Sequence, residues 1–303
     1  MDVQQTLKRQ ISCAGIGLHS GQKVTLTLKP APADTGIRFR RTDLGVEIPA
    51  SVENVSAVQY ATVLGCDGAT VETVEHLLAA LVATGIDNVI VELSQREVPI
   101  MDGSSAPFLF LLQEAGVKRL GAARKYLKVL KPLQIASGDK RIAVYPSDHF
   151  KVSYTISFDH PMLRHQTRTE RITEQSFSEH IASARTFGFL NEVERLRQAG
   201  LALGGSLENA IVLGETGVLN NPLRFDDEFV RHKLLDAIGD LSLTGHPMLG
   251  HVVVHRGGHA IHTRLATTLL NDTDAWRLEE MPAGERVTSP APGALERPAP
   301  LAP

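Results

Sequence analysis

Only two cysteines, Cys13 and Cys66, occur in 303 residues. That excludes a disulfide-stapled secreted scaffold, and both thiols are expected to be reduced and buried. Basic surplus is also missing: 31 Lys and Arg stand against 34 Asp and Glu, a net charge of −3. The balance argues against a nucleic-acid surface, while leaving room for a local cationic pocket that takes a phosphorylated small molecule. No apolar run is long enough to cross a bilayer. The first five residues have neither the basic start nor the apolar stretch of a signal peptide. A cytoplasmic protein without stable membrane insertion is therefore expected. The His-Glu-x-x-His order of zincin proteases is absent. The glycine-rich run Gly15–Gly21 lacks both the Lys-Ser/Thr ending of a P-loop and the spacing of a dinucleotide fingerprint, so it reads as a tight strand connection.

What remains is an average soluble composition, 43% hydrophobic and 21% charged, with length for about two domains. Val24, Leu26 and Leu28 alternate with polar residues, as in a half-buried strand, and Ile37-Arg38-Phe39 resumes the pattern. Val74, Leu77, Leu78, Leu81 and Val82 form the stripe of a helix over 73–84, with Thr73 as N-cap and Gly85 beyond its end. A strand over 88–93, a loop through 101–103 and a helix over 106–115 follow. The second half repeats this rhythm. Val152, Tyr154, Ile156 and Phe158 alternate as a strand, 229–243 is a helix, 251–255 a strand, and a last helix is expected near Thr263. His76–Leu81 faintly matches Lys233–Ile238, modest support for two similar α+β domains. The seam is placed near 121–125, giving domains 1–124 and 125–281, and the Pro- and Ala-rich segment 282–303 reads as a disordered tail.

Three segments carry candidate chemistry. On a helix over 229–243, His232, Asp236 and Asp240 fall four apart on one side, with Leu234, Leu235, Ile238 and Leu241 on another. A His and an Asp one turn apart can share a cation, yet roughly one such pair is expected by chance in this composition, so alone it reads as a surface ion pair. Glu75-His76 opens the first helix, where a carboxylate beside a metal ligand could accept a proton from water; a capping or partly buried histidine explains His76 equally. Gly257-Gly258 could let backbone approach a ligand that His259 faces, or could simply end the preceding strand. In Arg185–Phe189, Thr186 could offer a hydroxyl to an oxyanion, or the segment could be a loop with buried aromatics.

Taken in order, these segments closely resemble the UDP-3-O-acyl-N-acetylglucosamine deacetylases, zinc amidases of lipid A biosynthesis. The resemblance runs through Gly17–Gly21, Val74–Leu78, Pro99–Ser104, Arg185–Gly188, Gly204–Ala210, Phe229–Leu241 and Gly258–Ala260. It implies an α+β fold of two similar domains, each a sheet layered against two helices and each with a small insertion, with the active site between them. The second insertion, near 189–213, would help line a passage for an acyl chain, with Leu201, Leu203 and Ile211 as candidate lining. The resemblance puts the metal ligands at His76, His232 and Asp236. It puts the general base at Glu75 and a charged or proton-donating histidine at His259, oriented by Asp240. Thr186 would polarise the substrate carbonyl, while Lys233, Phe158 and Phe187 would bind substrate.

The implied reaction is removal of the N-acetyl group from a UDP-linked, 3-O-acylated amino sugar, releasing acetate and a free amine. Two imidazoles and one carboxylate suit Zn2+, and Fe2+ equally. A monomer that binds no nucleic acid is expected. Two positions depart from the family pattern: Ile261-His262 stands where Leu-Asn is expected, and Ala61-Thr62-Val63 where a Ser-Thr-Thr run is usual. The competing readings are a zinc amidase for another N-acetylated compound, and a metal-stabilised nucleotide-sugar binding protein without catalysis.

Overall fold

The computed structural model describes residues 2–219 and 222–282. The expectation of a disordered tail therefore lies, from residue 283 on, outside the described residues. Six α-helices occur among those described: α1 (Glu75–Ala83), α2 (Ala106–Ala115), α3 (Glu174–His180), α4 (Leu190–Gln198), α5 (Glu228–Leu241) and α6 (His259–Asn271). None is long and apolar enough to cross a membrane.

The first half is built on a five-stranded sheet in the order 11–16, 23–30, 89–93, 37–41, 46–49, with only 37–41 and 89–93 parallel. The alternation read in the sequence is the burial pattern observed: Val24, Leu26, Leu28 and Phe39 point into the core. The second half is a seven-stranded sheet in which strand 248–255 is central, flanked by 140–146 and by 125–129 and 150–156. Helices α1 and α2 belong to the first half and α5 and α6 to the second, the two sheet-plus-helix units that were expected. Strand 117–123 returns to pair with 3–7, whereas 125–129 joins the second sheet. Each half has its small addition: a three-stranded sheet over 55–57, 63–66 and 69–72, and a parallel pair, 187–189 with 211–213, around α4.

Several boundaries differ from the sequence reading, each for a local reason. Helix α1 starts at Glu75, and Thr73 is no cap: its backbone is left-handed (φ +59°) and its hydroxyl donates to Glu97 Oε1 at 3.1 Å. A buried carboxylate has taken the side chain that would otherwise cap the helix. Gly85 does end α1: its N–H donates to the Val82 carbonyl and that of Ile86 to Leu81, with φ +72° at the glycine. Helix α6 starts at His259, four residues before Thr263, because Gly258 serves as its N-cap. The strand carrying Tyr154 ends at Ile156, so Phe158 sits in the loop that follows, where its N–H donates to the Leu163 carbonyl. Both cysteines are free but only half-buried.

The two halves meet through α1 and α5, the pair of segments whose sequences faintly match. Gly239 makes this possible. A β-carbon there would lie 2.0 Å from the Glu75 carbonyl oxygen, so only glycine lets the two backbones touch.

Candidate active site between the two halves

The close crossing at Gly239 brings His76 of α1 against the side of α5 that carries His232 and Asp236. The two imidazoles stand edge to face with centroids 4.9 Å apart. Asp236 Oδ1 lies 3.5 Å from His76 Nε2 and 3.4 Å from His232 Nε2. All three residues are buried, so the reading of His232 and Asp236 as a surface ion pair does not hold. That carboxylate oxygen has no hydrogen-bond partner among the described residues. An unsatisfied buried carboxylate oxygen is costly unless something else binds it.

The surroundings prepare these atoms to hold a cation. His232 Nδ1 lies 3.0 Å from the Ala184 carbonyl, which can only accept, so Nδ1 carries the proton and Nε2 presents its lone pair inward. Burial drives the His232 pKa down to about 3, so the ring is neutral at physiological pH. For Asp236, burial works against ionisation, but the Lys233 ammonium beside it outweighs that and holds the carboxyl well below its usual range. Lys233 Nζ donates to Asp236 Oδ2 at 2.8 Å, leaving Oδ1 free to ligate. Two imidazole nitrogens and one carboxylate oxygen converge here, the oxygen without a hydrogen-bond partner, and the set fits a divalent metal ion.

The Ala184 carbonyl is held in turn by an ion pair absent from the sequence reading. The Arg185 guanidinium donates to both Glu228 oxygens, at 2.9 and 3.1 Å, and both side chains are almost wholly buried. Glu228 also accepts the backbone N–H groups of Arg185 and Arg224. This anchors segment 184–186 to the first turn of α5. Thr186 follows, fixed through its N–H to the Gly103 carbonyl at 2.8 Å and through its own carbonyl to Ile211 N–H.

One turn along α5, Asp240 binds a second cluster. Its Oδ2 lies 2.8 Å from His259 Nδ1 and 2.8 Å from His262 Nδ1, and its Oδ1 accepts the Thr62 hydroxyl at 2.6 Å. Burial would raise the Asp240 pKa, but the two histidines overcome it and push it far below the carboxylate range. Burial would lower that of His259, but Asp240 and Glu75 prevail and raise it to about 9. His259 Nε2 faces Glu75 Oε1 at 3.9 Å. The other Glu75 oxygen accepts the Thr62 N–H at 3.1 Å. Burial pushes the Glu75 carboxyl up, opposed by His259 and His76.

Thr62 thus ties Glu75 to Asp240, a role invisible in the sequence, where it figured only as part of a departure from a family pattern. Glu97 and Glu228 are equally silent there, since an isolated glutamate carries no pattern. Gly257 packs closely against neighbouring side chains. A β-carbon on it would lie 2.7 Å from the Tyr154 hydroxyl and 3.1 Å from His262 Nε2.

The residues expected to touch substrate also gather here. Lys233 Nζ stands 5.5 Å from the centre of the Phe187 ring, and that ring packs against Phe158 at 6.1 Å and His232 at 6.3 Å. On the far side, the segment after α4 lies over the Gly17–Gly21 loop, with Leu203 N–H bonded to the His19 carbonyl. Leu203 and Ile16 are exposed there, and Leu201 is half-buried. Ile211 is fully buried in the core, so it cannot line a passage as expected.

The sequence model of one family, LpxC (UDP-3-O-acyl N-acetylglycosamine deacetylase), matches residues 4–271. The chain is 51% identical over 280 residues to the UDP-3-O-acyl-N-acetylglucosamine deacetylase of Pseudomonas entomophila, covering 91% of this chain and 92% of that protein. It is 51% identical over 283 residues to the protein of the same name from Citrifermentans bemidjiense, covering 92% and 93%. For the Geotalea uraniireducens protein, likewise so named, the identity is 48% over 298 residues, covering 97% of each.

Proposed function

We propose that the chain, which belongs to the UDP-3-O-acyl N-acetylglycosamine deacetylase family, hydrolyses the N-acetyl group of a UDP-3-O-acyl-N-acetylglucosamine in a zinc-dependent reaction, an early step of lipid A biosynthesis. The observation that carries this reading is the orphaned Asp236 Oδ1 between two imidazole nitrogens, beside the facing pair Glu75 and His259. His76, His232 and Asp236 would hold the zinc, and Fe2+ would suit the same donors. When bound, the metal supplies a Lewis acid that polarises a carbonyl and makes water more acidic.

The proton transfers belong to the chain itself. Glu75 Oε2 is engaged by Thr62, so Oε1 accepts the proton as water adds to the acetamide carbonyl. His259 Nδ1–H is committed to Asp240, so the proton it can give is the one on Nε2, directed toward Glu75 and the space in front of it. With a pKa near 9 the ring is an imidazolium at neutral pH, able to counter the oxyanion and protonate the departing amine. Thr186 would add a hydrogen bond to the oxyanion. Lys233, Phe158 and Phe187 would hold the nucleotide sugar. The exposed Ile16–Leu203 surface would receive the acyl chain. The same reading divides the chain into domains 1–124 and 125–281, supported by the switch of sheets between strands 117–123 and 125–129.

The test is acetate release from N-acetylglucosamine derivatives with and without UDP and the 3-O-acyl group. Turnover confined to substrates carrying both supports the reading. Equal turnover of simple N-acetylglucosamine would make this an amidase of another kind, and no turnover with zinc bound would leave a binding protein.

A further inference from the structure

His262 is a fully buried histidine that the proposed reaction does not use. It lies three residues after His259, and because α6 begins at His259 both rings project from one face of the first turn. Both Nδ1 atoms reach the same oxygen, Asp240 Oδ2, at 2.8 Å. An ionised carboxylate only accepts, so each ring holds its proton on Nδ1. This leaves His262 Nε2 with a lone pair, and the Tyr154 hydroxyl donates to it at 3.2 Å. The space for that contact is reserved by Gly257.

We infer that His262 is a positioning residue for the deacetylation proposed above: by taking half of Asp240 Oδ2, it weakens the carboxylate's hold on His259. The inference rests on that functional reading for its consequence, but its geometry stands alone. A second donor stabilises the carboxylate's negative charge and so leaves it less basic toward the first. The charged and titratable groups facing His262 are Asp240 from α5, Tyr154 from strand 150–156 and His259 from its own helix, with Asp236 further along α5. Those facing His259 are Asp240, Glu75, His262 and, more distantly, Asp236. Burial lowers the His262 pKa despite Asp240, so this ring is a neutral donor rather than a second cation.

An asparagine at 262 would offer an amide N–H from nearly the position of the imidazole Nδ1, keeping a donor to Asp240 while losing the link to Tyr154.

The experiment is a titration of the zinc-loaded full chain, labelled with 15N-histidine, following the His259 ring by NMR alongside kcat/KM against pH. His262→Leu should raise the His259 midpoint by roughly one pH unit, the scale of one hydrogen bond regained by a carboxylate. It should carry the alkaline limb of kcat/KM in the same direction. His262→Asn should leave both near the wild-type position. Tyr154→Phe should shift both upward by less, since the donor on Nε2 strengthens Nδ1–H. If His262→Leu binds zinc and folds with an unmoved His259 midpoint, His262 is only a core residue and the inference fails. If that variant does not fold, Tyr154→Phe decides, an unmoved or lowered midpoint overturning it. A wild-type chain that releases no acetate sinks the functional reading instead, while the NMR titration still judges His262.

Discussion

Gly239 of α5 lies against the backbone of Glu75 so closely that a β-carbon would stand 2.0 Å from the Glu75 carbonyl oxygen. One glycine sets the distance between the helix that carries Glu75 and His76 and the helix that carries His232, Asp236 and Asp240. Gly239→Ala must push the helices apart, a backbone clash that no side-chain rotation can relieve. The expected cost is at least the ~1–3 kcal/mol of core overpacking, together with weakened zinc affinity, because the proposed metal donors sit on both sides of the crossing. Urea unfolding and a zinc competition assay check the two effects. Wild-type values in both would mean the helices can separate freely.

Breaking the Arg185–Glu228 pair should act at a distance. Glu228→Gln leaves a buried guanidinium without its counter-ion, which typically costs ~3–5 kcal/mol. The segment that presents the Ala184 carbonyl to His232 loses its anchor as well. A lower thermal midpoint and weaker zinc binding are expected together, and a stable variant with normal zinc affinity would show that the segment is held by other means.

Thr62→Val removes the hydroxyl on Asp240 while keeping the backbone N–H on Glu75. Loss of one buried hydrogen bond to a charged group is worth about 1.5–3 kcal/mol, or roughly tenfold or more in rate if it is felt in the transition state. The drop should appear in kcat with KM little changed, and Thr62→Ser should recover most of it. A rise in KM alone would place Thr62 in substrate binding.

The pH dependence follows from His259. With its pKa raised to about 9, the imidazolium persists through neutral pH and is lost as pH rises through about 9. Its stabilising pairing with Asp240 is complete below the ordinary imidazole value of ~6.5 and disappears over the same interval. The rate constant kcat/KM should therefore fall on the alkaline side near pH 9, and His259→Gln should remove that limb along with most activity. An alkaline limb that survives in His259→Gln belongs to another group.

The periodic parts of this molecule were legible in its sequence. The inward faces of strands 23–30 and 37–41 and the buried stripes of α1 and α5 follow from alternation and 3.6-residue spacing. The start of α6 was not, because Gly257-Gly258 interrupts the apolar pattern ahead of it. Of the site, the set His76, His232 and Asp236 became legible only through an ordered resemblance, since two of its members sit on a spacing that chance also produces. Thr62 and Glu228 could not be read at all. Thr62 meets Asp240 across 178 residues and Glu228 meets Arg185 across 43. Hydrogen bonds over such separations leave no local periodicity.

The most direct measurement is zinc content and acetate release determined together on three proteins: wild type before and after chelation, His232→Ala and Glu75→Ala. Chelated wild type is expected to stay folded, lose turnover and regain it with zinc. His232→Ala should lose both zinc and turnover, whereas Glu75→Ala should keep its zinc while losing most catalysis. Full turnover in either variant, or a Glu75→Ala protein that loses zinc in parallel with activity, would contradict the division between metal ligands and proton carrier on which the account rests.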